Sequence, residues 1–292
     1  MKLVSTYAGC APQFSHILQN PDTMTTEQLT PRQIREREFF DKQFGEGWKG
    51  KINLDMFADQ KQYGPWNPYW ECFDFVKSRY RDRKQKLLSF GCGSGAEAIR
   101  FARMGYEVYA FDISPRCVER AQSFAEDYQL SDRTHFSVQT AENIDYPDSY
   151  FDIVTGDDIL HHVEIDQAIG QVHRVLKPGG AAVFHDSLRT PMRDSIRKSP
   201  PVRWLIPIGT LDMQKGKKYE GTEDERPLST HDIAIVRAQF PSLIVTRFRV
   251  LALASVVFSH RRFLEKCDHV MFKILPFMRW FGDEIVLSVV KN

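Results

Sequence analysis

The chain has 292 residues, 42% of them apolar, with a formal net charge of +1. That supplies one large domain or two small ones with a sizeable core, and gives no global argument for nucleic acid as a partner. The five cysteines, Cys10, Cys72, Cys92, Cys117 and Cys267, have no CxxC and no metal-ligand spacing, which suits free thiols in a reducing compartment and a protein without a metal.

Residues 1 to about 30 are polar, carry Pro12 and Pro21 and lack periodicity, so a loose arm is expected. No long apolar segment of a secretory signal is present there. Val250 to Phe258 is shorter than the roughly 20 residues that span a bilayer, so a cytoplasmic location is expected. "TPRQIREREFFDKQF" opens with Thr30 and Pro31, a helix start. "FADQKQYGPWNPYWECFDFVKSRY" breaks at Gly64-Pro65 and Pro68 and resumes as an aromatic helix. Residues 1–84 are therefore expected to form an N-terminal arm and helical lid, ahead of a core over 85–292.

From residue 86 short apolar strands alternate with helices. "KLLSFG", "YEVYAFDIS", "THFSVQ", "FDIVTGDD" and "AAVFHDS" are expected strands. "AEAIRFARMG", "PRCVERAQSFAEDYQL" and "AIGQVHRVLKPGG" supply helices and, in the last, a turn. "STHDIAIVRAQF" is a helix, and "LIVTRFRVLALAS" and "EIVLSVVKN" close the pattern as strands. This order predicts an α/β fold: a doubly wound, Rossmann-like, mostly parallel seven-stranded sheet with helical cap insertions. The insertions fall at about 190–228 and 256–282, where the rhythm stops, and are expected to cap the sheet's ligand edge.

Gly91, Gly93 and Gly95 fill the first strand-to-helix turn, where a backbone free of side chains lets a nucleotide-like ligand approach. Asp112 follows 21 residues after Gly91, at the end of the second strand. An acid there can accept hydrogen bonds from ribose hydroxyls. The glycines alone fit a nicotinamide dinucleotide or an adenosine sulfonium. The Tyr-x-x-x-Lys of a short-chain reductase occurs only at Tyr80 to Lys84, upstream of the glycines, which disfavours the first.

"FGCGSG", "AFDIS", "AENIDYPDSYFDIV", "DDILHHV" and "RVLKPGG", in that order and spacing over about residues 86 to 188, resemble the class I S-adenosylmethionine-dependent methyltransferases of the type 11, small-molecule kind. The resemblance implies S-adenosyl-L-methionine as cofactor. It implies that Gly91 and Gly93 pass close to the cofactor's methionine, with Cys92 as the small residue that fits the turn between them. Asp112 would hold the ribose and Ile113 pack on adenine. Ala141 and Glu142 would border the adenine edge, and Gly156 and Asp157 would face the methionine ammonium. The sequence departs from the family at Ser89, where an acid is usual, and at Thr140, often Asp.

Methyl transfer from a sulfonium mainly needs alignment in a dry site, and a base where the acceptor carries a proton. His161 and His162, after the fourth strand, are the catalytic candidates; the alternative is a helix start with one ring packed and the other bonding a loop. His185 and Asp186 end the fifth strand and point toward the pocket. Tyr63, Trp66, Tyr69 and Trp70 are expected either to close over the acceptor or to pack as the core face of an aromatic helix. Arg193 and its basic neighbours suit an anionic group on the acceptor, an acidic membrane surface, or plain solvation. "FLEKCDHVMFKILPFMRWF" is expected to be an amphipathic helix pair that covers a lipophilic pocket or forms a homodimer interface. The expected activity is methyl transfer to a lipophilic or anionic small molecule of the natural-product, lipid or quinone type. A catalytically silent cofactor-binding protein of the same fold stays open. Nucleic-acid methylation is disfavoured, because "GDDILHH" stands where an Asn-Pro-Pro-Tyr motif would be.

Overall fold

Each apolar run read as a strand forms one: β1 Lys86–Phe90, β2 Glu107–Asp112, β3 Thr134–Val138, β4 Phe151–Asp157, β5 Leu176–Ser187, β6 Ile244–Phe248 and β7 Glu284–Val290. The computed structural model describes residues 29–44, 52, 54, 67–80, 83–191, 195, 222, 224–251 and 261–292. The strands form one sheet in the order β3-β2-β1-β4-β5-β7-β6. All run parallel except β7, which is antiparallel to both β5 and β6. The order reverses between β1 and β4, so the crevice at their carboxyl ends is where such a sheet takes a ligand.

The helices are α1 Pro31–Gln43, α2 Pro68–Arg79, α3 Ala96–Arg103, α4 Pro115–Asp127, α5 Ile165–Val175, α6 Thr230–Gln239 and α7 Arg261–Ile274. Their starts follow local chemistry. Thr30 and Gln33 form a capping box for α1, and Ser229 and Asp232 one for α6, while Ser114 caps α4 and Asn67 caps α2. Such caps satisfy amide donors that have no partner inside the helix.

Alternation along the strands sends side chains to two cores. Leu88, Phe90, Val154 and Phe184 pack with Leu160, Ile169 and Val172 on the α5 side. Leu87, Val108, Ile153 and Val183 pack with Phe73, Val76, Ile99 and Phe101 from α2 and α3 on the other. Burying each such side chain contributes about 1.5–3 kcal/mol.

Three expectations change in detail. The helix over "AIGQVHRVLKPGG" stops at Val175, and Leu176 through Gly180 join β5 across a bulge, with Phe151 opposite Leu176 but Ile153 opposite Ala181. Pro178 cannot donate to a helical ladder, which favours that exit. The strand over "LIVTRFRVLALAS" stops at Phe248, because Arg249 takes a left-handed φ of 57°. In the second insertion the helix pair is one α-helix, α7, and a 3-10 turn, Pro276–Phe281, set beside the edge strand β6.

Candidate functional site

β1 ends at Phe90 and the chain enters the glycine loop. A Cβ on Gly91 would lie 2.4 Å from the Ile159 side chain, so protein packing alone demands glycine there. A Cβ on Gly93 would meet nothing within 4 Å, although φ is +49°. The backbone at Gly93 therefore faces open space, the cradle a close-packed ligand requires. The Cys92 amide donates to the Phe111 carbonyl at 2.8 Å. The amides of Gly93 and Ser114 donate to the two carboxylate oxygens of Asp112, at 2.8 and 3.0 Å. Asp112 thus fixes the loop at the end of β2 while each oxygen keeps a second lone pair. Burial raises its pKa and the two amides oppose that rise.

Under the loop, Ser89 of β1 pairs in register with Thr155 of β4, and both are fully buried. The acid missing at position 89 is supplied from α3: Glu97 is 7% exposed and its carboxylate accepts from the Ser89 hydroxyl at 3.2 Å. Burial, reinforced by nearby Asp157, pushes the Glu97 pKa up to about 8. In the sequence Glu97 looks like an ordinary first-turn helix acid. From α2, the Tyr69 hydroxyl accepts from Arg100 at 2.5 Å, and the Arg100 guanidinium lies over the Tyr69 and Trp70 rings. Trp70 packs into the core against Phe73. Tyr63, Trp66 and Arg193 lie outside the described residues.

After β4 the chain turns through Asp158, whose φ is +52°, into the 3-10 turn Leu160–His162. The Nδ1 of His161 lies 2.8 Å from Asp186 Oδ1, and its Nε2 faces Glu225 at 3.8 Å. The backbone amides of His161 and Ser187 also donate to Asp186, which is fully buried. Burial works against a charged His161, but the Asp186 hydrogen bond, with Asp158 and Glu225 nearby, holds its pKa up to about 9. His162 has a different setting. Its Nδ1 is 3.0 Å from a Glu36 oxygen and its ring meets Phe40 edge-on. His185 uses both nitrogens, on Asp157 and on Glu284, each at 2.6 Å. Both nitrogens are engaged by carboxylates, so the ring presents neither to an acceptor.

α1 lies across this edge. Arg32 bridges to Glu164, Gln33 donates to Glu142, and Asp41 accepts from the Ser114 hydroxyl and the Arg116 amide. Glu142 also accepts from the Glu164 amide, so its carboxylate ties α1 to the start of α5. Ala141 is buried and Ile113 half-buried beside it. The first insertion is pinched at its base, where Arg189 and Leu228 donate to the Leu228 and Ser187 carbonyls.

A family described as a methyltransferase domain matches residues 88–184. The 27-O-demethylrifamycin SV methyltransferase of Amycolatopsis mediterranei (strain S699) is 31% identical over 206 residues, covering 62% of this chain and 76% of that protein. The chain belongs to the class I S-adenosylmethionine-dependent methyltransferases. Its cofactor is S-adenosylmethionine, and it is a transferase. The mitochondrial ubiquinone biosynthesis O-methyltransferase of Schizosaccharomyces pombe (strain 972 / ATCC 24843) is 31% identical over 150 residues, 49% of this methyltransferase and 54% of that one. Geranyl diphosphate C-methyltransferase from Streptomyces coelicolor A3(2) superposes with a TM-score of 0.55 at 12% identity, over 90% of this chain and 99% of that one. At that identity the likeness is one of fold. The open cradle at Gly93, the buried acid Glu97 and the half-buried Asp157 near it suit a ligand with a nucleoside at one end and a cation at the other. No helix among the described residues is long and apolar enough to cross a membrane.

Proposed function

We propose that this methyltransferase moves a methyl group to an oxygen of a small molecule with an apolar body, and that His161, oriented by Asp186, takes the acceptor's proton. The pair at 2.8 Å carries the reading. A base oriented by a buried carboxylate is the arrangement that activates a hydroxyl nucleophile. Bound at the glycine loop, the cofactor supplies a methyl already activated on a sulfonium. Asp112, Ile113 and Ala141 would hold its nucleoside end, Gly93 would lie close to its methionine, and Glu97 and Asp157 would hold the ammonium.

The protein's remaining tasks are alignment, exclusion of water and one proton transfer. Asp186 fixes which His161 nitrogen faces the acceptor and stabilises the imidazolium once the proton arrives. α1 covers the edge from which water would enter. Carboxylates of Glu36, Asp186 and Glu225 surround the histidines, which favours a neutral or cationic acceptor at the reacting end; an anionic group on it would bind farther out. Two relatives near 31% identity carry oxygen methylation in their names, which supports oxygen over carbon.

The test is a panel of phenolic, enolic and alcohol acceptors with methyl-labelled cofactor. His161→Ala should lower kcat by about 10²- to 10⁴-fold, the range for a lost general base, with little change in cofactor Kd. Unchanged kcat in that variant, or label on carbon, overturns the reading.

A further inference from the structure

Helix α7 buries two acids beside Phe272 on its inner face and leaves apolar side chains on its outer face. Its acids Glu265 and Asp268 are 2% and 3% exposed, while Phe263, Val270 and Ile274 are 66%, 54% and 70% exposed. The 3-10 turn continues the same surface with Phe277 and Trp280, at 65% and 72%. The acids face inward because they have partners there. Asp268 accepts from the amides of Val250 and Leu251 at 3.1 and 2.7 Å, and Glu265 lies within reach of the Arg249 charge. With these groups satisfied inside, the apolar stripe has only the outside to face. Contiguous exposed apolar surface of this kind marks an interaction site.

The charges on the stripe select the partner. Between residues 263 and 281 the acids are Glu265 and Asp268, both buried, and the exposed charges are Lys266, Lys273 and Arg279. The Arg247 guanidinium lies 4.7 Å over the Trp280 ring at one end of the surface. We propose that α7 and the turn Pro276–Phe281 dock this methyltransferase on an anionic phospholipid surface. Aromatic and aliphatic side chains would enter the headgroup boundary while lysine and arginine meet lipid phosphates, the pattern of interfacial helices. A two-fold dimer through the same face would set cation against cation, since an isologous contact repeats one patch on both sides.

The position gives docking a consequence. Phe248 at the end of β6 pairs with Glu284, and Glu284 pairs with Ser187 at the end of β5. The surface therefore adjoins the sheet edge that carries the cofactor loop, and a docked protein would turn its acceptor entrance toward the bilayer. The proposal stands on α7 and the turn Pro276–Phe281 and does not depend on which atom is methylated.

The test is cosedimentation of the full chain with phosphatidylcholine vesicles and with vesicles containing about one-third phosphatidylglycerol. Binding to the anionic vesicles only, weakened by salt, is expected. The double variant Phe277→Ser, Trp280→Ser should bind about tenfold or more weakly, and so should Lys266→Glu, Lys273→Glu, both at exposed positions. Both should keep the wild-type affinity for S-adenosylhomocysteine in calorimetry. No vesicle binding, equal binding to both vesicle types, or binding untouched by the lysine reversals overturns the proposal. So does a lipid-free dimer in sedimentation velocity that either double variant converts to monomer.

Discussion

At His161 enclosure and a hydrogen bond act in opposite directions on one proton. Burial favours neutral imidazole, the Asp186 carboxylate favours imidazolium, and the balance holds the pKa up to about 9. A base must be unprotonated before it can act, so kcat/KM should climb with pH up to about 9 and then level. Asp186→Asn removes the group that raises the pKa. The rising limb should then move toward the ordinary histidine value near 6.5 while the plateau falls. A limb that stays in place in that variant would show that another group titrates. Glu97 offers a second test at this scale. It is held near pKa 8 beside Asp157, so a bound ammonium should ionise it. Glu97→Gln should weaken S-adenosylhomocysteine by about 1.5–3 kcal/mol, the scale of hydrogen bonds to a charged group, and leave 5′-methylthioadenosine, which lacks the amino acid, unchanged. Calorimetry near neutral pH in two buffers should show proton release with the first ligand alone. Equal loss for both ligands would mean that Glu97 merely supports the loop. Gly93 and Asp112 stand out in the sequence because each marks the end of a short apolar strand, although they are 19 residues apart. His161 and Asp186 are 25 residues apart and meet only because β4 lies beside β5. Glu97 was hidden for another reason: its first-turn position gives an acid a local purpose, and only the third dimension shows the Ser89 hydroxyl beneath it.

The elements show the same division between what local sequence dictates and what packing decides. Strand ends and helix starts follow glycine, proline and cap chemistry, and those were legible. The partners of α1 were not, because Ser114, Glu142, His162 and Glu164 all belong to later parts of the chain. Asp41 receives the Ser114 hydroxyl and the Arg116 amide at the start of α4, where a negative charge also suits the helix dipole. Asp41→Ala should speed cofactor release about five- to tenfold in stopped-flow, corresponding to roughly 1 kcal/mol of lost hydrogen bonding. Release unchanged in that variant would separate α1 from cofactor retention. For α7 the sequence pattern did predict an amphipathic helix. Which side faces inward depends on the amides of Val250 and Leu251, which claim Asp268, and no periodicity encodes that.

Across the whole molecule, one row of ionic contacts crosses the carboxyl edge of the sheet. Asp157 on β4 bonds His185 on β5, His185 bonds Glu284 on β7, and Glu284 meets Arg249 just past β6 at 2.8 Å. Four neighbouring strands are tied at the edge that carries the site, with His185 at the centre. Burial alone would lower the His185 pKa, but Asp158, Asp157 and Glu284 together hold it well above the usual histidine value. In the unfolded chain the ring titrates near 6.5. A folded pKa above the unfolded one means that the native state binds the extra proton, so its stability contribution is full below about pH 6.5 and is lost as pH rises through the folded value. His185→Gln keeps a polar group of similar reach without that charge. Urea unfolding at a series of pH values should therefore show the wild type ahead of the variant by its widest margin below pH 6.5, with the margin shrinking steadily into the alkaline range. A margin that is constant with pH, or grows toward high pH, would mean that the clamp holds a neutral ring and that the strand ends are joined by packing instead.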